Sequence, residues 1–237
     1  MKPIAIFLFD VTGIAAQPWA EVGIECYCVD IQHSIRRDRK EGLINFVWGD
    51  ARSWRPPSGC RVVFVASMSP CTDVTGAGAR DFAKKGGFML RDALEFFESG
   101  RQCAAWSGAP YYCENPVGVL SSVPHIGKPD YYFDPFEYAD YCADDWYTKK
   151  TCLWTGNGFQ MPAPSFDRAR YERGKVAWDH FKKTGEKGPD FADYPDNRIH
   201  HASPGDDRAD IRSASPLGFN RAVFLANAPA EYRRIAA

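Results

Sequence analysis

The sequence predicts an α/β fold built on a doubly wound, mostly parallel sheet. Two features predict it: short apolar runs that each stop at an acid or a turn, and helix-length segments between successive runs. Ile4 to Phe9 is the first run, nearly unbroken in apolar character as a strand buried on both faces requires, and it feeds the turn Asp10-Val11-Thr12-Gly13. Ile24 to Val29 repeats the pattern and stops at Asp30. Between them Ala15 to Val22, with Pro18 in its first turn, supplies the crossover helix of a βαβ unit. Ile44 to Trp48 before Gly49-Asp50, and Val62 to Ala66 before Ser69-Pro70-Cys71, add a third and a fourth strand. Leu90, Ala93, Leu94, Phe97, Cys103 and Trp106 recur at helical spacing, so Leu90 to Trp106 reads as an amphipathic helix that Gly100 interrupts. Tyr111 to Cys113, ending at Glu114-Asn115-Pro116, is a fifth strand, and Thr151 to Trp154, stopped by Gly156-Asn157-Gly158, a sixth. Arg168 to Lys183 is helical within a stretch rich in Pro, Asp, Lys and Arg, and Leu217 to Ala226 closes as an apolar helix.

A chain of 237 residues has room for one domain spanning 1–237, with a small insertion or lid at about 159–207. Its 45% hydrophobic and 25% charged residues match globular proteins and exclude the collagen-like and disordered classes. No apolar run is long enough to span a bilayer, and Met1-Lys2-Pro3-Ile4 leads into a short run ended by Asp10 with no small-residue cleavage site. A cytoplasmic protein without a membrane partner is expected. The eight cysteines contain no C-x-x-C pair, so neither a disulfide framework nor structural zinc is expected, and Cys26 and Cys28 read as alternate positions of a buried strand. A net charge of -1 excludes a basic footprint over the whole molecule, though not a local one. Arg36, Arg37, Arg39 and Lys40 read as a solvated face; Lys149-Lys150 is the better candidate for a ligand contact.

In a doubly wound sheet, ligands bind beyond the carboxyl ends of the strands. Asp10, Asp30, Asp50, Cys71 and Glu114 all fall there. Asp30 ends the second strand where such sheets place a ribose-binding carboxylate. The first loop lacks the G-x-G-x-x-G that closes on a pyrophosphate, which disfavours a dinucleotide and suits a cofactor without phosphates, such as S-adenosylmethionine. Asp50 would then accept from the adenine amine. Each acid alone reads equally as an ordinary strand-end residue; together they form one edge. Cys71 lies in a loop, where a thiolate is a strong nucleophile, although most cysteines are inert core residues. Glu114, at the end of an apolar strand, is placed to hold or share a proton, or else to serve as a plain strand-end acid.

Ser69-Pro70-Cys71, Glu114-Asn115-Pro116 and the Phe9-to-Gly13 turn, in this order and on these strands, resemble the cytosine carbon-5 DNA methyltransferases. The likeness is closest to the short members carried by bacteriophages, through Pro18-Trp19-Ala20, Ser69 to Arg80, Glu114 to Gly118, Tyr147 to Gly158 and Arg212 to Asn227. The resemblance implies a class I, Rossmann-like methyltransferase acting on cytosine-containing DNA, as monomer or dimer, with S-adenosylmethionine as cofactor and S-adenosylhomocysteine as product. It implies that Cys71 adds to carbon 6 of a flipped cytosine while Glu114 bonds the ring edge. Phe9 would lie against the adenine, with Asp10, Gly13, Asp30, Ile31, Asp50, Pro70 and Asn220 completing the cofactor site. Thr72, Asn115, Lys149, Lys150 and Arg212 would contact the substrate, and no metal is implied. The sequence departs from the family in Ser69 for a second proline, Pro116 for valine, the lack of a recognisable arginine motif and the lack of a large target-recognition domain. RNA, a free nucleotide or a modified cytosine as acceptor, or a silent nucleic-acid-binding relative, are the competing readings.

Overall fold

The computed structural model describes residues 1–75, 82–201 and 214–235. Its strands are β1 (Lys2–Leu8), β2 (Glu25–Asp30), β3 (Arg39–Glu41), β4 (Ile44–Trp48), β5 (Cys60–Ser67), β6 (Tyr111–Pro116), β7 (Tyr131–Phe133) and β8 (Thr151–Gly156). They form one mixed sheet in the order β3-β4-β2-β1-β5-β6-β8-β7. The inner strands β4, β2, β1, β5 and β6 are mutually parallel; β3 is antiparallel to β4 and β8 antiparallel to β6. The six expected strands and the four expected helices are present. Two short edge strands, β3 and β7, are additional: β3 is wholly exposed and β7 exposed at two of its three residues, so neither has the apolar period that marks a buried strand. The cluster read as a solvated face is therefore partly sheet edge, with Arg39 lying over the Phe46 ring at 3.7 Å.

Both faces of the sheet are covered, which is why the middles of β1 (Ile4 to Leu8) and β5 (Val62 to Ala66) are apolar at successive positions. Helix α1 (Gln17–Glu21) carries Trp19, stacked on Phe64 at 4.5 Å and edge-on to Phe224 at 5.2 Å. Helix α2 (Phe82–Ser107) covers the other face, where Ala93 and Phe97 join Val74, Cys113 and Trp154 in one apolar cluster.

Gly100 does not interrupt α2. A Cβ there would stand 2.5 Å from Ser67 Cβ and 2.9 Å from Cys113 Sγ, so glycine lets the helix lie directly on β5 and β6.

The chain falls into two compact units: Met1–Tyr132, Lys150–Pro162 and Val223–Ala237 form the first, Phe133–Lys149 and Ala163–Ala222 the second. The second takes in most of the expected insertion together with Phe133–Lys149. Its helix α3 (Arg168–Thr184) starts where Asp167 accepts from Arg170 N at 2.9 Å and stops at Gly185, whose φ is 78°. Trp178 of α3 stacks on Tyr194 at 5.2 Å, and Gly174 allows the helix to touch the Tyr194 backbone. Among the described residues, no helix is long and apolar enough to cross a membrane.

Two glycines of α2 should therefore respond oppositely to the same change. At Gly87, where a Cβ would meet nothing within 4 Å, alanine is expected to stabilise by roughly 0.5–1 kcal/mol. At Gly100 it should destabilise by ~1–3 kcal/mol through overpacking. Urea midpoints of Gly87→Ala and Gly100→Ala check the signs.

Candidate active site

The candidate site lies along the carboxyl edge of the first unit. Where β1 ends, Phe9 adopts φ 64°, a conformation costly for a bulky side chain (~1–3 kcal/mol) and one that marks functional loops. Phe9 N donates to Val29 O at 2.8 Å and its half-buried ring meets Phe96 edge-on at 5.9 Å.

Asp10 is buried, 3% exposed. Its Oδ1 accepts from Gly13 N at 2.7 Å, Thr12 N at 3.1 Å and Thr12 Oγ1 at 3.0 Å, while Cys28 Sγ donates to Oδ2 at 3.8 Å. Burial raises its pKa above the ordinary value, and these donors oppose that rise without cancelling it. The carboxylate thus shapes the loop from inside. Two amides that a phosphate-binding turn would offer outward are already taken by Asp10, in keeping with a ligand that has no phosphate there. Gly13, at φ 74°, is required twice over, since a Cβ would also stand 2.7 Å from the Phe46 ring.

At the end of β2, Asp30 is 5% exposed. Its Oδ1 accepts from Gln32 N at 2.7 Å, and its second oxygen has no hydrogen-bond partner among the described residues, which leaves an acceptor at the sheet edge. Ile31 is 61% exposed and offers an apolar surface beside it. Gly49 N donates to Asp30 O at 3.3 Å, so Asp50 lies on the adjoining strand end. Asp50, however, is forked to Arg52: Oδ2 is 2.6 Å from Nη2 and Oδ1 is 3.0 Å from Nε, and the guanidinium holds its carboxyl below the usual value. An adenine amine would share that carboxylate with Arg52.

The loop after β5 and the end of β6 are bound to each other. Ser67 pairs with Cys113, and two residues further Asn115 Nδ2 donates to Ser69 O at 3.0 Å and Ser69 Oγ at 3.1 Å. Downstream, Val74 N and Thr75 N donate to Cys71 O at 3.1 and 3.0 Å, Val119 N donates to Val74 O at 2.8 Å, and Thr75 pairs with Gly118. Cys71 is half-buried against the apolar cluster of Val74, Phe97 and Trp154. Pro70 and Thr72 on either side are exposed. Glu114 is half-buried, and its carboxyl makes no hydrogen bond or ion pair among the described residues. Cys71 and Glu114 therefore stand on two segments held in direct contact.

Five other cysteines are poor nucleophiles. Burial pushes Cys103 and Cys152 up to about 11 and raises Cys26, Cys28 and Cys113 as well, so these stay thiols at neutral pH.

Of the remaining expected residues, Lys150 belongs to the first unit, is exposed and lies over the Tyr132 ring at 5.7 Å. Lys149 and Asn220 belong to the second. Lys149 is 8% exposed with Nζ 3.3 Å from Ala214 O, and Asn220 Nδ2 donates to Ser215 Oγ and Pro216 O, both at 2.8 Å. Arg212 lies outside the described residues. Asn115, expected to touch substrate, is 1% exposed and turned onto Ser69. Sequence reasoning missed Ser69 as its partner, Arg52 on Asp50, and Gly118, where a Cβ would stand 2.0 Å from Val74 O. A glycine just past a strand end does signal such an approach, whereas nothing local marks the other two.

Compared with known proteins, the chain matches no family model, no curated protein and no solved structure.

Asp10 gives the site a pH signature. Because its folded pKa lies above 3.8, its contribution to stability is full below that value and is lost as pH rises through the folded pKa. Asp10→Asn removes the loss, so the urea midpoint of the variant relative to the native chain should rise as pH increases above about 4. A difference independent of pH would contradict this reading of Asp10.

Proposed function

We propose that the chain transfers a methyl group from S-adenosylmethionine to carbon 5 of cytosine in DNA, through a covalent bond between Cys71 Sγ and carbon 6 of the base. The observation that carries the reading is the junction of the Cys71 loop with the Glu114 strand end, at the carboxyl edge that also holds Phe9, Gly13 and Asp30. A parallel sheet with β8 reversed beside β6 is compatible with the class I methyltransferase fold.

The residues fit the cofactor. Phe9 offers a ring at the end of β1, Asp30 an acceptor at the end of β2, and the Asp10 loop a turn whose amides are turned away from phosphate. When bound, S-adenosylmethionine supplies an electrophilic methyl group. The chain's own part is to activate the ring. Cys71 Sγ adds to carbon 6, and the electrons of the C5–C6 double bond make carbon 5 nucleophilic. Glu114, facing the N3 and amine edge, stabilises the charge that develops there. After carbon 5 is alkylated, a general base takes its proton, the C–H electrons restore the C5–C6 double bond and the C6–Sγ bond breaks to release the thiolate. Both ring faces must be reachable, so the base leaves the stack at a cost of a few kcal/mol.

Helix α3 supports a nucleic-acid partner. It carries Arg168, Arg170, Arg173, Lys175, Lys182 and Lys183 against Glu172 and Asp179, and Arg168, Lys175 and Lys183 are exposed. The double variant Lys175→Ala/Lys183→Ala is expected to weaken duplex binding and to reduce the salt slope of log K by about two units. An unchanged slope would remove α3 from the interface.

The reaction is tested with a labelled methyl donor and a panel of duplex DNA, single strands, RNA and nucleotides. Label in 5-methylcytosine of duplex DNA is the expected result. Cys71→Ala should abolish transfer while leaving cofactor binding within about threefold, because an addition step is lost and no cofactor contact is. Retained transfer in that variant would reverse the assignment.

A further inference from the structure

Resting on the reaction proposed above, we infer that Asn115 is a positioning residue, which fixes the Cys71 loop against Glu114 rather than touching the base. The carboxamide is 1% exposed and its two amide protons go to Ser69 O and Ser69 Oγ at 3.0 and 3.1 Å. A backbone carbonyl only accepts, so the nitrogen must face Ser69 and the amide has one orientation. That orientation strands the other end: Asn115 Oδ1 is buried with no hydrogen-bond partner among the described residues. An unmade buried acceptor opposes folding, so the side chain is poorly explained by stability and well explained by the geometry it imposes.

The contact also sits where leverage on Cys71 is greatest. Ser69 lies two residues before Cys71, and Asn115 one residue after Glu114. Downstream of Cys71, backbone contacts tie the loop to the segment after β6, through Val119 N on Val74 O and the Thr75–Gly118 bridge. Gly118 keeps that approach open. Upstream, Ser67 pairs with Cys113 and Tyr112 OH reaches Met68 Sδ at 3.9 Å, but among the described residues the link to β6 nearest Cys71 is the Asn115 side chain. Losing it frees one side of the loop and leaves the other fixed, which lets Sγ swing relative to the Glu114 carboxyl without unfolding the strands. Aspartate at 115 has the same shape but would set an acceptor against the Ser69 carbonyl. Ser69→Ala, by contrast, keeps the carbonyl half of the contact.

The test uses the full chain with Asn115→Ala, Asn115→Asp and Ser69→Ala, measuring transfer to duplex DNA, S-adenosylmethionine affinity, thermal unfolding and amide exchange at Val74 and Thr75. Asn115→Ala should lower kcat by roughly 100-fold with KM for DNA and cofactor Kd within about threefold, since misplacement by about 1 Å has effects of that size. Asn115→Asp should be at least as severe, and Ser69→Ala milder than either. Exchange at Val74 and Thr75 should quicken by about tenfold or more in Asn115→Ala, as expected of a loosened loop. A kcat within about twofold of the native chain, or a fall in kcat matched by equal losses of cofactor affinity and thermal stability, overturns the positioning role. If the native chain transfers no methyl to any nucleic acid, the reaction itself fails. The clamp is then decided by exchange alone, and unchanged rates in Asn115→Ala overturn it.

Discussion

Parallel pairing of β4, β2, β1, β5 and β6 is the constraint on which the site depends. Strands that share a direction finish on the same edge, so side chains far apart in sequence, at 9–13, 30, 50, 69–71 and 114–115, are delivered there together. The register sharpens this: Leu8 pairs with Val29 on one side and Ser67 on the other, and Ser67 pairs with Cys113. Phe9, Asp50 and Cys71 thus lie just past the last paired positions of their strands, whereas Asp30 is the last paired residue of β2 and Glu114 is still paired with Leu153 of β8.

That same geometry explains which parts of the molecule are readable from residues. Apolar runs such as Ile4 to Leu8 are long, continuous and terminated by an acid, because a strand covered on both faces has no polar side to show. The exposed strands Arg39–Glu41 and Tyr131–Phe133 have no such mark; backbone pairing at a sheet edge creates them, and no side-chain period announces it. The same holds for the direction of Thr151–Gly156, whose composition suits either sense. Gly100 misleads for a related reason. Its local helix propensity is poor, but its missing side chain is what lets α2 lie on Ser67 and Cys113, and a packing gain of this kind is invisible without the neighbour.

The site shows a similar division. Cys71, Glu114 and Asp30 are legible as strand-end residues with reactive or acceptor groups. Their partners are not: the Asp50–Arg52 fork, the inward turn of Asp10 and the Asn115–Ser69 contact are set by side-chain rotamers and by the meeting of distant segments. Asn115 is the clearest case. From its place after Glu114 it reads as a substrate contact, yet the amide is consumed by the loop that carries Cys71. Burial also separates the cysteines into two populations, since desolvation holds Cys113 and Cys152 as inert thiols within the apolar cluster against which Cys71 is only partly buried.

The central claim, that the Cys71 sulfur bonds to carbon 6 of a cytosine, is tested most directly by a trapped complex. Fluorine at carbon 5 of the target base leaves no proton to remove after alkylation, so elimination of the thiolate stops. With duplex DNA carrying that base and S-adenosylmethionine, the account predicts a covalent protein–DNA adduct that peptide mass spectrometry locates on Cys71. An adduct on Cys113 or Cys152, or methylation of ordinary cytosine with no adduct on the fluorinated one, would contradict it.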